Sequence, residues 1–130
     1  MPNLFMTRSS PRAPEGGAHR LCPYSEFDMA HIPRVSVIIP TLNEERNLPH
    51  VLTRIPSWIH ELIIVDGCST DDTIATARRF FRSARIVIEK TRGKGAALRA
   101  GFMAATGDIV VILDADGSMD PAEITTFVGA

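Results

Sequence analysis

The chain has 130 residues, of which 45% are hydrophobic and 22% charged, and its formal net charge is −1. This length and composition allow one domain with a real core, and the near-neutral charge argues against a nucleic-acid-binding surface. Cys22 and Cys68 lie far apart without a C-x-x-C partner, which argues against a zinc site or a disulfide framework. Such cysteine usage is typical of a protein in the reducing cytoplasm. No apolar run reaches the roughly 18 residues of a membrane span, and no signal-peptide core is present.

Residues 1–33 are predicted to form a disordered leader, because Pro, Ser, Gly and Arg dominate and no hydrophobic period is sustained. A basic targeting peptide is an alternative, although Pro11 and Pro14 interrupt the amphipathic helix that such a peptide needs. Ordered structure is expected over residues 34–130.

Short apolar runs alternate with segments of helical spacing along the ordered part. The runs predict strands at Val35–Ile39, Leu62–Val65, Ile86–Ile88 and Ile109–Leu113. The intervening segments predict helices from Leu48 to before Pro56, over Asp71–Phe81, over Gly95–Ala105 and from Asp120 onward. Asn47, the Ser69–Asp72 segment and Asp120 are the expected helix caps.

This alternation predicts an α/β fold with an open, mostly parallel sheet and helices on both faces. The expected order of the four predicted strands is 3-2-1-4. In such sheets ligands bind beyond the carboxyl ends of the strands, where the order reverses. That rule selects the loops Pro40–Glu44, Asp66–Ser69 and Asp114–Ser118.

The loop after the fourth predicted strand carries two carboxylates, Asp114 and Asp116, separated only by Ala115. Paired carboxylates at the tip of an apolar strand repel each other and are costly to desolvate unless a cation or hydrogen-bond donors face them. Oxygen ligands of this kind suit Mg²⁺ or Mn²⁺, which takes one or two protein carboxylates and its other ligands from phosphates and water. A polar turn that closes the strand is the alternative.

The phosphate-binding loops of two common nucleotide folds are absent. The first predicted loop contains no glycine, so it is not the G-x-G-x-x-G of a dinucleotide fold. Gly93-Lys94-Gly95 lacks the spacing of a P-loop. Phosphate charge would then be neutralised by a metal, with help from Arg92 and Lys94.

Four segments in order resemble the nucleotide-sugar-binding half of family 2 glycosyltransferases, which have the GT-A fold: VSVIIPTLNEERNL, ELIIVDGCSTDDT, TRGKGAALRAGFMAATG and DIVVILDADGSMDP. The polyprenyl-phosphate mannosyl- and glucosyltransferase branch is the most similar. The resemblance implies transfer of a sugar from a UDP- or GDP-sugar, with Mg²⁺ or Mn²⁺ on the diphosphate. The acceptor it implies is a lipid phosphate, reached at the cytoplasmic membrane face.

By position in these motifs, the resemblance also implies eight donor-binding residues. Asp66 would bind the base, Lys94 would lie near base and ribose, and Asp114 would contact the ribose or a metal-bound water. Asp116 would ligate the metal, with Asp114 as the second metal-site carboxylate. The full set is Pro40, Leu42, Glu44, Asp66, Lys94, Asp114, Ala115 and Asp116. Cys68 stands where the family usually has serine.

The family continues for roughly another hundred residues, which supply the acceptor site and, in inverting members, the base. We therefore expect this chain to be the donor-binding half, truncated at its C-terminus, and no catalytic base is assigned. A non-catalytic nucleotide-binding remnant is an alternative, and the oligomeric state stays open. The DADGS segment also resembles the first motif of haloacid-dehalogenase-type phosphatases, with Asp114 as nucleophile, but three βα units precede it. A sugar-nucleotide pyrophosphorylase would need a glycine- and arginine-rich first loop, which is absent.

Overall fold

A five-stranded sheet carries helices on both faces in the computed structural model, which describes residues 5–8 and 32–129. The strands are β1 (Phe5–Arg8), β2 (Val35–Thr41), β3 (Glu61–Asp66), β4 (Arg85–Ile88) and β5 (Ile109–Ile112). The helices are α1 (Leu48–Leu52), α2 (Thr73–Phe80), α3 (Lys94–Ala104) and α4 (Glu123–Gly129). Each predicted strand and helix of residues 35–129 is present, with ends shifted by a few residues.

The sheet order is β1-β5-β2-β3-β4, and β2 through β5 are all parallel. The predicted order 3-2-1-4 corresponds to β4-β3-β2-β5 and is confirmed. Strand β2 is central, pairing with β3 on one side and β5 on the other. The chain order reverses between β2 and β5, so their carboxyl ends form the switch point.

Strand β1 was not expected, because its four residues lie within the segment predicted as a disordered leader. It pairs antiparallel with β5, with Phe5 opposite Ile112 and Arg8 opposite Ile109. Four residues are too few to produce a detectable hydrophobic period, and the pairing depends on an edge of β5 that lies far away in sequence. Strand β1 is thus an ordered part of the segment predicted as a mostly disordered leader, and most of residues 1–33 lies outside the described residues.

The strands are buried on both faces, which explains their continuous apolar runs. On one face, Val37, Ile39 and Ile64 join the core formed by α1, α2 and α4. On the other face, Ile38 and Ile63 pack against the alanines and Leu98 of α3. The predicted placement of helices on both faces is confirmed.

Two of the three expected caps differ in the structure. Asn47 makes no side-chain cap, and its Nδ2 instead donates to Glu44 Oε2 at 2.8 Å. Asp72 precedes α2 without a side-chain cap, whereas Asp71 Oδ1 accepts the N–H of Thr73, the first residue of α2, at 2.9 Å. Asp120 does cap its helix, accepting the Ala122 N–H at 3.0 Å.

No helix in the part of the chain that the structure describes is long and apolar enough to cross a bilayer.

Candidate functional site

A cavity of about 860 Å³ opens at the carboxyl edge of the parallel strands. Its walls come from the loops that follow β2, β3, β4 and β5 and from the start of α3. The lining residues are Pro40–Glu44, Gly67, Cys68, Thr70, Glu89–Lys94, Ala97 and Asp114–Asp116. The cavity therefore lies where the switch-point rule predicts a ligand site.

Seven of the eight residues expected at the donor site line this cavity. They are Pro40, Leu42, Glu44, Lys94, Asp114, Ala115 and Asp116. Leu42 is 58% exposed and gives the cavity an apolar surface, whereas Ala115 is buried at its back.

Asp66 is the one expected residue that does not line the cavity. Its side chain is completely buried and accepts hydrogen bonds from the Thr41 hydroxyl at 2.9 Å and the Ser69 N–H at 2.7 Å. The Ser69 hydroxyl donates a third bond, at 2.6 Å. These bonds satisfy most of the carboxylate's acceptor capacity. The arrangement favours a role in holding the loop after β3 over the base contact that the motif implies.

Lys94 and Asp114 meet across the cavity between α3 and β5. The Lys94 Nζ donates to Asp114 Oδ1 at 2.9 Å. The Asp114 side chain is only 15% exposed, whereas that of Lys94 is 58% exposed. A lysine at the first position of a helix opposes the helix dipole, so the carboxylate provides its compensation.

Asp116 is exposed and lies two residues beyond Asp114. Its Oδ1 accepts the Ser118 N–H at 2.9 Å, through a turn in which Gly117 has a φ of 81°. Hydrogen bonds from the Ser118 N–H and hydroxyl hold the pKa of Asp116 below its usual value. Asp116 is therefore ionised at neutral pH. Among the described residues it forms no ion pair like the one between Lys94 and Asp114, so no ammonium at bonding distance competes with a cation for it.

The donor set of this loop fits a hard divalent cation that arrives with a phosphate ligand. The described residues contain no group of three or more His, Cys, Asp or Glu side chains arranged to hold a metal. Two carboxylates are nevertheless what Mg²⁺ or Mn²⁺ takes from a protein when a diphosphate and water complete its coordination. Asp116 is the better placed ligand, because Lys94 already occupies one oxygen of Asp114.

The loop after β4 contributes residues that the sequence-based site did not include. Glu89, Lys90 and Thr91 line the cavity beside Arg92. The Thr91 N–H donates to Glu89 Oε2 at 2.9 Å, and this bond and the Thr91 hydroxyl lower the pKa of Glu89. The sequence could have predicted that this loop belongs to the site, because it also follows the carboxyl end of a parallel strand.

A second cavity, of about 420 Å³, lies on the other side of the loop that follows β5. It is lined by α1 residues, the following turn and Gly117–Pro121. Arg54 donates to Asp120 Oδ2 at 2.8 Å at its edge. One loop thus separates the two cavities.

An open, mostly parallel sheet with a cavity at its switch point is the arrangement typical of nucleotide-binding α/β proteins. Residues 36–130 match the sequence profile of glycosyl transferase family 2, and the chain belongs to this family. Family membership agrees with the resemblance found in the motifs, and it favours the glycosyltransferase interpretation of Asp114 and Asp116 over the phosphatase one.

Two kinds of curated relative are similar to the chain. An uncharacterised glycosyltransferase of Mycobacterium tuberculosis is 46% identical over 94 residues, which cover 72% of this chain and 42% of the relative. The undecaprenyl-phosphate 4-deoxy-4-formamido-L-arabinose transferase of Salmonella choleraesuis is 33% identical and is covered to 35% of its length. The chain therefore spans about two-fifths of these relatives or less.

Solved structures of similar fold come from glucosyl-3-phosphoglycerate synthase of M. tuberculosis. One has a TM-score of 0.66 and 34% identity, over 75% of this chain and 39% of that chain. Another, with a TM-score of 0.58 and 36% identity, is a complex with Mn²⁺, UDP and phosphoglyceric acid. It covers 64% of this chain and 33% of that one.

Proposed function

We propose that this chain forms the donor-binding part of a metal-dependent glycosyltransferase that uses a UDP-sugar. The observation that carries the proposal is the cavity at the switch point, into which Lys94, Asp114 and Asp116 all project. The structural relative that binds UDP together with Mn²⁺ supports UDP over GDP as the nucleotide.

Each wall of the cavity suits a different part of such a donor. Leu42 offers apolar contact to a base, and Asp116 with Asp114 would hold Mg²⁺ or Mn²⁺ at the diphosphate. When bound, the metal supplies Lewis-acid stabilisation of the departing diphosphate. Lys94 and Arg92 add positive charge to the same region. Asp66 holds the loop after β3 in place from behind.

We infer a phosphate-bearing acceptor, because one relative is named for undecaprenyl phosphate and another for 3-phosphoglycerate. A lipid phosphate would bring the protein to the cytoplasmic face of a membrane. The catalytic base is assigned to no residue of the chain, since the chain covers only 42% of the mycobacterial relative and 39% of the solved structure. A non-catalytic nucleotide-binding remnant is the alternative, and sugar transfer from a UDP-sugar by the chain would exclude it.

The proposal is tested by titration calorimetry of the 130-residue chain with UDP and GDP, with and without Mn²⁺. We expect Mn²⁺-dependent UDP binding that Asp116→Asn weakens by about tenfold or more, because a metal ligand is lost. Asp72→Asn is the control, since it removes the same charge at an exposed position outside the cavity. A folded chain that binds neither nucleotide would refute the proposal, and equal weakening by both variants would refute the role of Asp116.

A further inference from the structure

Two loops that form adjacent walls of the donor cavity are joined to each other through Asn43. The first loop follows β2 and contributes Leu42 and Glu44, and the second follows β3 and contributes Cys68. Asn43 lies between Leu42 and Glu44 with a φ of 55°. This left-handed conformation is rare outside glycine, but asparagine tolerates it best among the larger residues.

Asn43 makes four hydrogen bonds to the second loop. Its N–H donates to the Ser69 hydroxyl oxygen at 2.8 Å. Its Oδ1 accepts from the Thr70 N–H at 2.8 Å, the Thr70 hydroxyl at 3.3 Å and the Asp71 N–H at 3.3 Å. A single side-chain oxygen therefore accepts hydrogen bonds from two backbone N–H groups of the facing loop.

The next residues of the first loop continue the same pattern. The Glu44 N–H donates to Thr73 Oγ1 at 2.9 Å, and the Glu45 N–H donates to Asp71 Oδ2 at 3.3 Å. Three consecutive N–H groups, from Asn43 to Glu45, are thus bound by side chains of the facing segment. Two of these three side chains, Ser69 and Asp71, belong to the segment that the sequence assigned to capping α2.

The second loop is held by Asp66 and Thr41 at the strand ends as well as by Asn43. Asp66 binds Ser69 and Thr41, and the Gly67 N–H donates to the Thr41 carbonyl at 2.9 Å. Above that anchor, Cys68 is also left-handed, with a φ of 69°. Further along the loop, the N–H groups of Thr70 and Asp71 donate to Asn43 Oδ1.

We propose that Asn43 is a positioning residue of the donor cavity, which holds the loop after β3 against the loop after β2 and so sets the separation of Leu42 and Cys68. The proposal rests on the proposed function, because the cavity is taken as the donor site. Asn43 itself lines the cavity, but its side-chain oxygen is engaged by Thr70 and Asp71, so the role proposed for it is to hold the two loops together.

Two substitutions isolate the side-chain oxygen from the backbone conformation. Asn43→Gly keeps the left-handed backbone and removes Oδ1. Asn43→Asp keeps an acceptor oxygen at the same place and is the conservative rescue. Asn47→Ala is the matched control, because Asn47 belongs to the same loop and contacts Glu44 rather than the facing segment. If Asn43→Gly does not fold, Ser69→Ala replaces it, since it removes the partner of the Asn43 N–H together with one of the three hydrogen bonds to Asp66.

The first measurement is hydrogen exchange of the Thr70 and Asp71 amides in the chain without nucleotide. Asn43→Gly should speed their exchange by about tenfold, while the amides of β2 and β3 stay unchanged. Unchanged exchange at Thr70 and Asp71 would overturn the proposal, whether or not the chain binds UDP.

The second measurement is the Kd for UDP with Mn²⁺, taken where all variants are folded. We expect Asn43→Gly to raise the Kd by about tenfold, Asn43→Asp to recover most of the affinity, and Asn47→Ala to stay within about twofold of the unsubstituted chain. A purely structural role would lower the unfolding temperature and leave the Kd of the folded protein unchanged, and that result would overturn the proposal. Absence of UDP binding by the unsubstituted chain refutes the proposed function instead, and the exchange measurement then decides on Asn43.

Discussion

The ammonium of Lys94 and the carboxylate of Asp114 lie 2.9 Å apart across the candidate donor cavity. The pair joins the start of α3 to the loop after β5. A divalent cation must therefore compete with Lys94 for one oxygen of Asp114, whereas Asp116 has no such ion pair at hydrogen-bonding distance among the described residues.

We expect Lys94→Met to tighten binding of Mn²⁺ alone, because the ammonium no longer occupies Asp114 Oδ1. The expected gain is about threefold to tenfold, in line with a partly exposed ion pair. Electron paramagnetic resonance of free Mn²⁺ measures it. Lys90→Met is the control, since Lys90 lines the same cavity without an ion pair to Asp114. Equal Mn²⁺ affinity of the two variants would contradict the prediction.

The same variant should bind UDP more weakly in the presence of Mn²⁺. Lys94 offers a positive charge at the cavity, and a charge-assisted hydrogen bond contributes about 1.5–3 kcal/mol. Calorimetric titration of Lys94→Met and Lys90→Met with UDP checks this. Tighter Mn²⁺ binding together with weaker UDP binding would indicate that Lys94 leaves Asp114 and contacts the nucleotide when the ligand binds.

Cys68 gives a chemical test of the cavity. Its thiol is exposed and lines the cavity. In a Cys22→Ser background, we expect UDP with Mn²⁺ to slow maleimide addition to Cys68 by about tenfold, because bound nucleotide covers the thiol. Intact-mass spectrometry follows the reaction, and Mn²⁺ without UDP is the control. A rate that saturating UDP leaves unchanged would place the nucleotide elsewhere.

Gly101 is buried where α3 packs against the sheet. A Cβ added there would lie 2.6 Å from Ile38 Cγ2 and 2.9 Å from Ile38 Cδ1. We expect Gly101→Ala to lower the free energy of unfolding by about 1–2 kcal/mol, since overpacking exceeds the gain in helix propensity. Urea unfolding measures the change.

Gly95→Ala is the control for that measurement, because a Cβ added at Gly95 would meet no atom within 4 Å. Gly95 lies in the same helix, so its replacement should raise stability by up to about 1 kcal/mol. Destabilisation of equal size at both positions would argue against close packing as the cause.

Glu61 lies at the end of the sheet opposite the cavity, and it should make the stability of the protein depend on pH. Its Oε2 accepts the Ser36 hydroxyl at 2.6 Å and the Thr106 N–H at 2.6 Å. Burial by itself would raise the pKa of Glu61, but these hydrogen bonds outweigh it and hold the pKa below its ordinary value of 4.5. Because the folded-state pKa lies below the unfolded one, the unfolded state takes up the proton first. The stabilisation is present above the ordinary pKa and is lost as pH falls through the folded-state pKa.

We therefore expect Glu61→Gln to lose less stability than the unsubstituted chain between about pH 5 and pH 3. Urea midpoints at the two pH values provide the comparison. Glu123→Gln, at an exposed position in the first turn of α4, is the control and should keep the full loss. An identical loss in Glu61→Gln and the unsubstituted chain would contradict the assignment.

The sheet was predictable because its signals are local. Each parallel strand is an apolar run buried on both faces, and the lengths between runs allow only crossovers. The carboxylates Asp114 and Asp116 were predictable for the same reason, since they terminate such a run. These features require no knowledge of which side chains meet in space.

The loop network was not predictable from local signals. Ser69 and Asp71 precede a helix and so resemble caps. The Ser69 side chain instead binds the Asn43 N–H, and Asp71 accepts both the Thr73 N–H at the start of α2 and the Glu45 N–H of the neighbouring loop. Asp66 resembles a ligand-contacting acid at a strand end, but Thr41 and Ser69 enclose it. A polar residue before a helix can satisfy its own turn or a neighbouring loop, and only the three-dimensional arrangement decides between them.

Strand β1 has a consequence for the order in which the molecule assembles during synthesis. Strands β2, β3 and β4 can pair in the order in which they leave the ribosome, whereas β5 must enter between β1 and β2. Strands β1 and β5 are separated by about a hundred residues of chain, a distance that makes their pairing slow to form. One edge of β2 therefore stays open until residues 109–112 have been made. The strand that leads into Asp114 and Asp116 closes the sheet, and the cavity beside those two carboxylates is completed last.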